Sequence, residues 1–150
     1  MRHAVKAGFG LGILALAGAP ANAATVTIGG TIVNLCTLTP TGGSMVVDSA
    51  GTTMTTESGV GALPASLAVI ATGSAPTLTF SAPTLTGPVS GATTRIRYSG
   101  AGANQTYTSG GSTASASLVD VFTIHAQVQS ATGFPSGSYA VTTIVTCGQS

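Results

Sequence analysis

The sequence predicts an all-β chain folded as an antiparallel β-sandwich of six or seven strands, and three observations predict it. Short apolar runs rich in Val, Ile, Thr, Tyr and Phe alternate with polar residues at a period of two. Links rich in Gly, Ser, Pro and Ala separate these runs at fairly even spacing. The Gly, Thr and Val content after residue 24 is unfavourable for helix almost throughout. No internal repeat of fixed period points to a solenoid.

Each element follows from its residues. Val26, Ile28 and Ile32 alternate with Thr25, Thr27 and Thr31, and Gly29-Gly30 interrupts the run, which predicts a first strand with a bulge or bend. Met45-Val46-Val47 is a short second run, and Ser66–Thr72, with Leu67, Val69 and Ile70, is a third. Thr77–Ala82 puts Leu78, Phe80 and Ala82 on one face between Pro76 and Pro83, which suit strand ends. Thr93–Tyr98 points Ile96 and Tyr98 inward and Arg95 and Arg97 to solvent. Gly100–Ser117 has no periodicity beyond Tyr107 and predicts a mobile loop. Leu118–Val128 is the longest strand candidate, with Phe122, Ile124, Ala126 and Val128 on one face. Phe134-Pro135-Ser136-Gly137 is a turn signal, and Ser138–Cys147 is a last strand with Tyr139, Val141, Val145 and Cys147 on one face.

The first 23 residues set the expected compartment. Arg2, His3 and Lys6 precede an apolar stretch, Ala7–Ala19, and then Ala21-Asn22-Ala23, the order of a secretory signal peptide. The stretch is too short to span a bilayer at about 20 residues per crossing. Cleavage before Ala24 leaves one domain, residues 24–150, exported to the periplasm and on to the cell surface or the medium. That domain has no lysine. It keeps Arg95 and Arg97 against Asp48, Glu57 and Asp120. So few cations argue against nucleic acid and against attachment to an anionic membrane surface. No second apolar run reaches bilayer length. In an oxidising compartment Cys36 and Cys147 make most simply one disulfide, which ties the first segment to the last.

The chemistry-bearing residues are few. His125 is the only histidine after residue 23, and no close cysteine pair accompanies it to make a zinc site. Met45, Met54 and His125 offer soft and imidazole ligands to copper, but two flexible core fillers and a surface histidine fit the pattern better. Nothing pairs two of the three carboxylates as a glycosidase requires. Asp120 and His125 are five apart and face opposite sides of a regular strand, and no G-x-S-x-G elbow is present. The expectation is therefore no catalytic residues and no cofactor. Arg95 and Arg97 share a strand face and could clasp an anion, though such a pair is more often a solvated face. Asn104-Gln105-Thr106 matches the N-glycosylation triplet, a weak signal alone.

Three features together resemble the chaperone–usher pilin and spore coat protein U superfamily. The first is a signal peptide followed almost at once by a β run ending in a cysteine, Thr31-Ile32-Val33-Asn34-Leu35-Cys36. The second is the charge-poor, Gly/Thr/Ser-rich body. The third is the ending Phe134-Pro135-Ser136-Gly137-Ser138-Tyr139-Ala140-Val141-Thr142-Thr143-Ile144-Val145-Thr146.

The resemblance implies an immunoglobulin-like sandwich that can lack its final strand. A periplasmic chaperone delivered to an outer-membrane usher, and then the N-terminal extension of another pilin-like subunit, would fill the gap by β-strand addition. It casts Val26, Ile28 and Ile32 as the donor strand, Tyr139, Val141 and Val145 as groove lining, and Cys36–Cys147 as the staple. In such pilins the second cysteine comes early, whereas here it is at the far end. The donor residues also coincide with the expected first strand. The implied function is a structural subunit of a surface fibre, pilus or coat, contributing to adhesion. The alternative is a soluble secreted or periplasmic module that binds a glycan or protein through Arg95, Arg97, Tyr98 and Tyr107.

Overall fold

The computed structural model of the chain describes residues 27–150. The expected signal peptide, its cleavage site and Val26 lie outside the described residues. Residues 27–30 belong to a unit separate from 31–150; they have no regular secondary structure and are exposed.

The described residues are all-β, with antiparallel pairing throughout. Twelve short strands occur in chain order: β1 (Leu35–Thr41), β2 (Val46–Val47), β3 (Thr53–Thr55), β4 (Ala65–Thr72), β5 (Thr77–Phe80), β6 (Thr84–Thr86), β7 (Thr93–Ser99), β8 (Asn104–Thr108), β9 (Ser112–Ser115), β10 (Val119–Gln129), β11 (Ala140–Thr142) and β12 (Val145–Gly148). One sheet runs β1-β4-β10-β7-β8. The long β10 also pairs through its C-terminal part with β3, which carries β2.

The second layer is β12-β5-β9. Its first two strands continue as β11-β6 beyond a break at Ser81. There the Ser81 N–H donates to the Ile144 carbonyl at 2.8 Å, and the Ile144 N–H donates to Ser81 Oγ at 2.8 Å. Pro83, which has no N–H to give a ladder, follows this break.

The two layers close on one core, and the inward sets are those the alternation predicts. Leu67 and Val69 of β4, Ile96 and Tyr98 of β7 and Phe122 of β10 meet Leu78 and Phe80 of β5. Phe80 stacks on Tyr98 with ring centroids 4.1 Å apart, and Phe122 meets both rings at a tilt. The Tyr98 hydroxyl donates to Ser112 Oγ at 3.0 Å, which satisfies the polar tip of an otherwise buried ring. The disulfide joins Cys36 on β1 to Cys147 on β12, one strand from each layer.

Four expectations need correction. The apolar alternation before Leu35 is not a strand of the domain: residues 27–34 lie outside every sheet, with Ile28 92% and Ile32 80% exposed. The Gly100–Ser117 stretch is not a loop. It forms β8 and β9, and β9 pairs with β5, burying Ala114 while Ala116 is buried just beyond it. Its buried side chains are alanines, small enough to conceal the strand in the sequence. Ala82 is exposed because the β5 ladder breaks at Ser81. The strand number exceeds six or seven because of these two strands and several two- and three-residue pieces.

Two stability outcomes follow. Replacing both cysteines by serine should lower the free energy of unfolding by about 4–5 kcal/mol on the chain-entropy model, because the crosslinked residues are 111 positions apart; denaturant titration reads this. Phe80→Ala should cost about 3–5 kcal/mol, as for other large-to-small changes at fully buried aromatic positions.

Candidate functional site: an apolar groove between two open strand edges

β1 is the outer strand of its sheet and β12 the outer strand of the other. The two edges lie on the same side of the sandwich, since the disulfide spans them. No strand of the described residues pairs with either edge. The inner face of the second layer shows the consequence. On β5, Leu78 and Phe80 are completely buried (0% and 1% exposed). Alongside, Tyr139 just before β11, Val141 of β11, and Val145 and Cys147 of β12 are only half-buried. On β1, the inward Cys36 and Leu38 are half-buried too. Burial that is complete in the middle of a sheet and partial at its edge means that the core lacks cover on that side.

The gap is a groove of about 590 Å³. Leu67, Ile96, Ile124 and Ala126 of the first sheet form one wall, and Tyr139, Val141 and Val145 form the other. Pro40–Met45 also lines it. There a Cβ on Gly43 would come within 2.5 Å of the Leu63 carbonyl oxygen, so only glycine lets the chain pass this close. The adjoining Ser44 and Leu63 exchange backbone hydrogen bonds at 2.9 Å. Cys36 and Cys147 are not among the groove residues: the disulfide holds the edges together at one end and the groove opens toward the other.

Ile28 and Ile32 of the N-terminal run are largely exposed. The Val33 carbonyl accepts from Thr72 Oγ1 at 2.9 Å, so the chain leaves β1 past the end of β4 rather than turning back along β1.

The remaining functional candidates separate onto the two faces of the first sheet. Asp120 is buried on the inward side and accepts backbone N–H groups from Ala101 (2.9 Å), Gly102 (3.3 Å), Ser117 (3.2 Å) and Val121 (2.8 Å). Burial pushes its pKa up, but the four donors outweigh burial and hold the carboxyl below its usual value. It is a structural clamp on two chain reversals. His125 lies on the outward face, so the two are not brought together. Met54 is buried opposite Val128, again on the inward face. Among the described residues no three His, Cys, Asp or Glu side chains gather to hold a metal.

On the outward face a polar row crosses four segments. Glu57 pairs with Arg97 of β7, passes His125 of β10 (Oε1 to Nδ1, 3.8 Å), and Arg97 lies beneath the Tyr107 ring of β8, 5.7 Å from its centroid. A shallow cleft of about 500 Å³ adjoins this row. Burial, then the nearby Arg97, lowers the His125 pKa, with Glu57 opposing. Glu57 thus occupies the Arg97 that the sequence leaves free to clasp an anion with Arg95. Tyr98, read as a ligand contact in the alternative, is 2% exposed and belongs to the core.

No family model, curated protein or solved structure matches the chain.

Asp120 generates a pH outcome. Its folded-state pKa is depressed, so its contribution is complete above the unfolded carboxylate pKa of about 3.9 and is lost as pH falls through the folded value. Asp120→Asn should therefore flatten the acid limb of the stability–pH curve. At neutral pH, Asp120→Ala should cost on the order of 3 kcal/mol by stranding buried N–H groups. Thermal unfolding at stepped pH measures both.

Proposed function

We propose that this chain is a secreted structural subunit of a surface fibre, pilus or coat, and that it assembles by β-strand addition and contributes to adhesion. The observation that carries the reading is the half-buried inward face of Tyr139, Val141 and Val145 beside an apolar groove flanked by two unpaired strand edges. An added strand would satisfy the free backbone groups of the edge and place alternate side chains in the groove.

The chain carries a fitting donor. Val26, Ile28, Gly30 and Ile32 recur at a period of two. The domain does not use Ile28 and Ile32 in its own sheets, and its first strand begins only at Leu35. Fitted between molecules joined head to tail, donor and groove make a heterologous contact that propagates into a fibre. A periplasmic chaperone would protect the same groove before assembly. The Cys36–Cys147 disulfide suits an oxidising compartment, and no helix of the described residues is long and apolar enough to cross a membrane.

A second reading, a soluble secreted or periplasmic immunoglobulin-like module for a glycan or protein, rests on the polar cleft at Glu57, Arg97, Asn104, Gln105 and Tyr107. Under it, Arg97→Ala and Tyr107→Ala abolish ligand capture and leave the size of the protein unchanged.

The test is a synthetic peptide of residues 24–34, added in excess to mature protein and followed by fluorescence anisotropy. Saturable binding is expected. Val141→Asp, which buries an unpaired charge in the groove, should weaken it by about tenfold or more. Ile28→Asp and Ile32→Asp in the peptide should do the same. No saturable binding to a monodisperse, disulfide-intact monomer would sink the reading.

A further inference from the structure

The outward face of the first sheet is divided sharply in two. Register places Val119 directly opposite Ile70, Val121 opposite Ala68, and Leu35 opposite Thr72. Leu35 (60% exposed), Ile70 (56%), Val119 (71%) and Val121 (57%) thus form one apolar area across β1, β4 and β10. It contains no charged residue, whereas the other half of the same face carries Arg95, Arg97 and His125. Exposed aliphatic side chains scattered singly are ordinary, but four gathered on neighbouring strands mark a contact surface.

The position of this area names its occupant. It begins at Leu35, the residue at which the N-terminal segment joins the domain. Only Val33 and Asn34 separate Ile32 from Leu35. At about 3.3–3.6 Å per residue, a neighbour holding Ile32 in its groove must come within about 10 Å of Leu35. Ile70 and Val119 lie one and two strands further on, at about 4.8 Å per strand, well inside the footprint of a domain seated there. Leu63, 59% exposed and bridged to the groove-lining Ser44, offers apolar surface to meet it.

We infer that Leu35, Ile70, Val119 and Val121 form the seat on which the next copy of this chain rests when it accepts the donor strand. The inference rests on the strand-addition reading and adds a second, side-chain contact between bodies to the strand contact. Two linked contacts hold more tightly than either alone, because the linker sets a high effective concentration for the second. The same device rigidifies a fibre that would otherwise flex at a two-residue link.

The experiment uses the full mature chain with its disulfide formed. Sedimentation velocity across a concentration series gives its self-association, and the peptide of residues 24–34 separately reports groove occupancy. For Val119→Lys/Val121→Lys, peptide affinity should equal that of the parent chain, while self-association weakens by about tenfold or more through stranded charge at the contact. Ile70→Lys, on the neighbouring strand, should behave alike and guards against a folding defect in the double variant. Unchanged self-association in both variants overturns the seat while the strand-addition reading stands. A parent chain that neither binds the peptide nor self-associates overturns both.

Discussion

The structure depends on a covalent bond placed between two unpaired outer strands. In a closed sandwich the two layers are held along each side by packing between covered edges. Here β1 and β12 face one another across an opening, with no ladder of hydrogen bonds between them. The Cys36–Cys147 bond spans that opening. It fixes the separation of the layers at one end without filling the space at the other. The aromatic cluster of Phe80, Tyr98 and Phe122 does the corresponding work in the centre, where burial is complete. Between these two anchors the inner faces of β1, β11 and β12 remain half-covered. A chain with so few charges and so many aliphatic residues would be expected to close such a gap, because burying apolar surface is its main source of stability. Leaving it open makes sense if the cover comes from another molecule.

Much of the fold was legible in the sequence, and the legible parts share a cause. Leu78 and Phe80, Ile96 and Tyr98, and Phe122 and Val128 sit on strands whose two faces differ strongly, so the period of two reports their orientation directly. The pairing of Cys36 with Cys147 followed from there being no third cysteine in the sequence. The N-terminal run failed for the opposite reason. Alternation at Ile28 and Ile32 says that the segment can present one apolar side to a surface; it does not say that the surface belongs to the same domain. The stretch from Gly100 to Ser117 failed because Ala114 and Ala116 are small, and small residues carry the same sequence signature in a core as in a flexible link.

The candidate site was legible only by halves. Tyr139, Val141 and Val145 stood out as one face of the last strand, but their wall-mates Leu67, Ile96, Ile124 and Ala126 looked like ordinary core positions. Which inward residues lack cover is decided by sheet order, a long-range property that alternation along one strand cannot contain. The Glu57–Arg97 pair was invisible for the same reason, since 40 positions separate its members. It changes the chemistry of the outward face, because the guanidinium is already matched by a carboxylate.

The central claim is that the edge formed by residues 140–148 is open in the isolated chain and, under the proposed function, closed by an added strand. Amide hydrogen exchange across that segment tests it most directly. In an edge strand, alternate N–H groups point away from the one partner that the strand has. Those of residues 140–148 that face the groove should exchange rapidly in the monomer. They should become protected when the strand of residues 24–34 is supplied or when the chain assembles. Slow exchange in the monomer, unchanged by either treatment, would mean that the sandwich is already complete and would contradict the account.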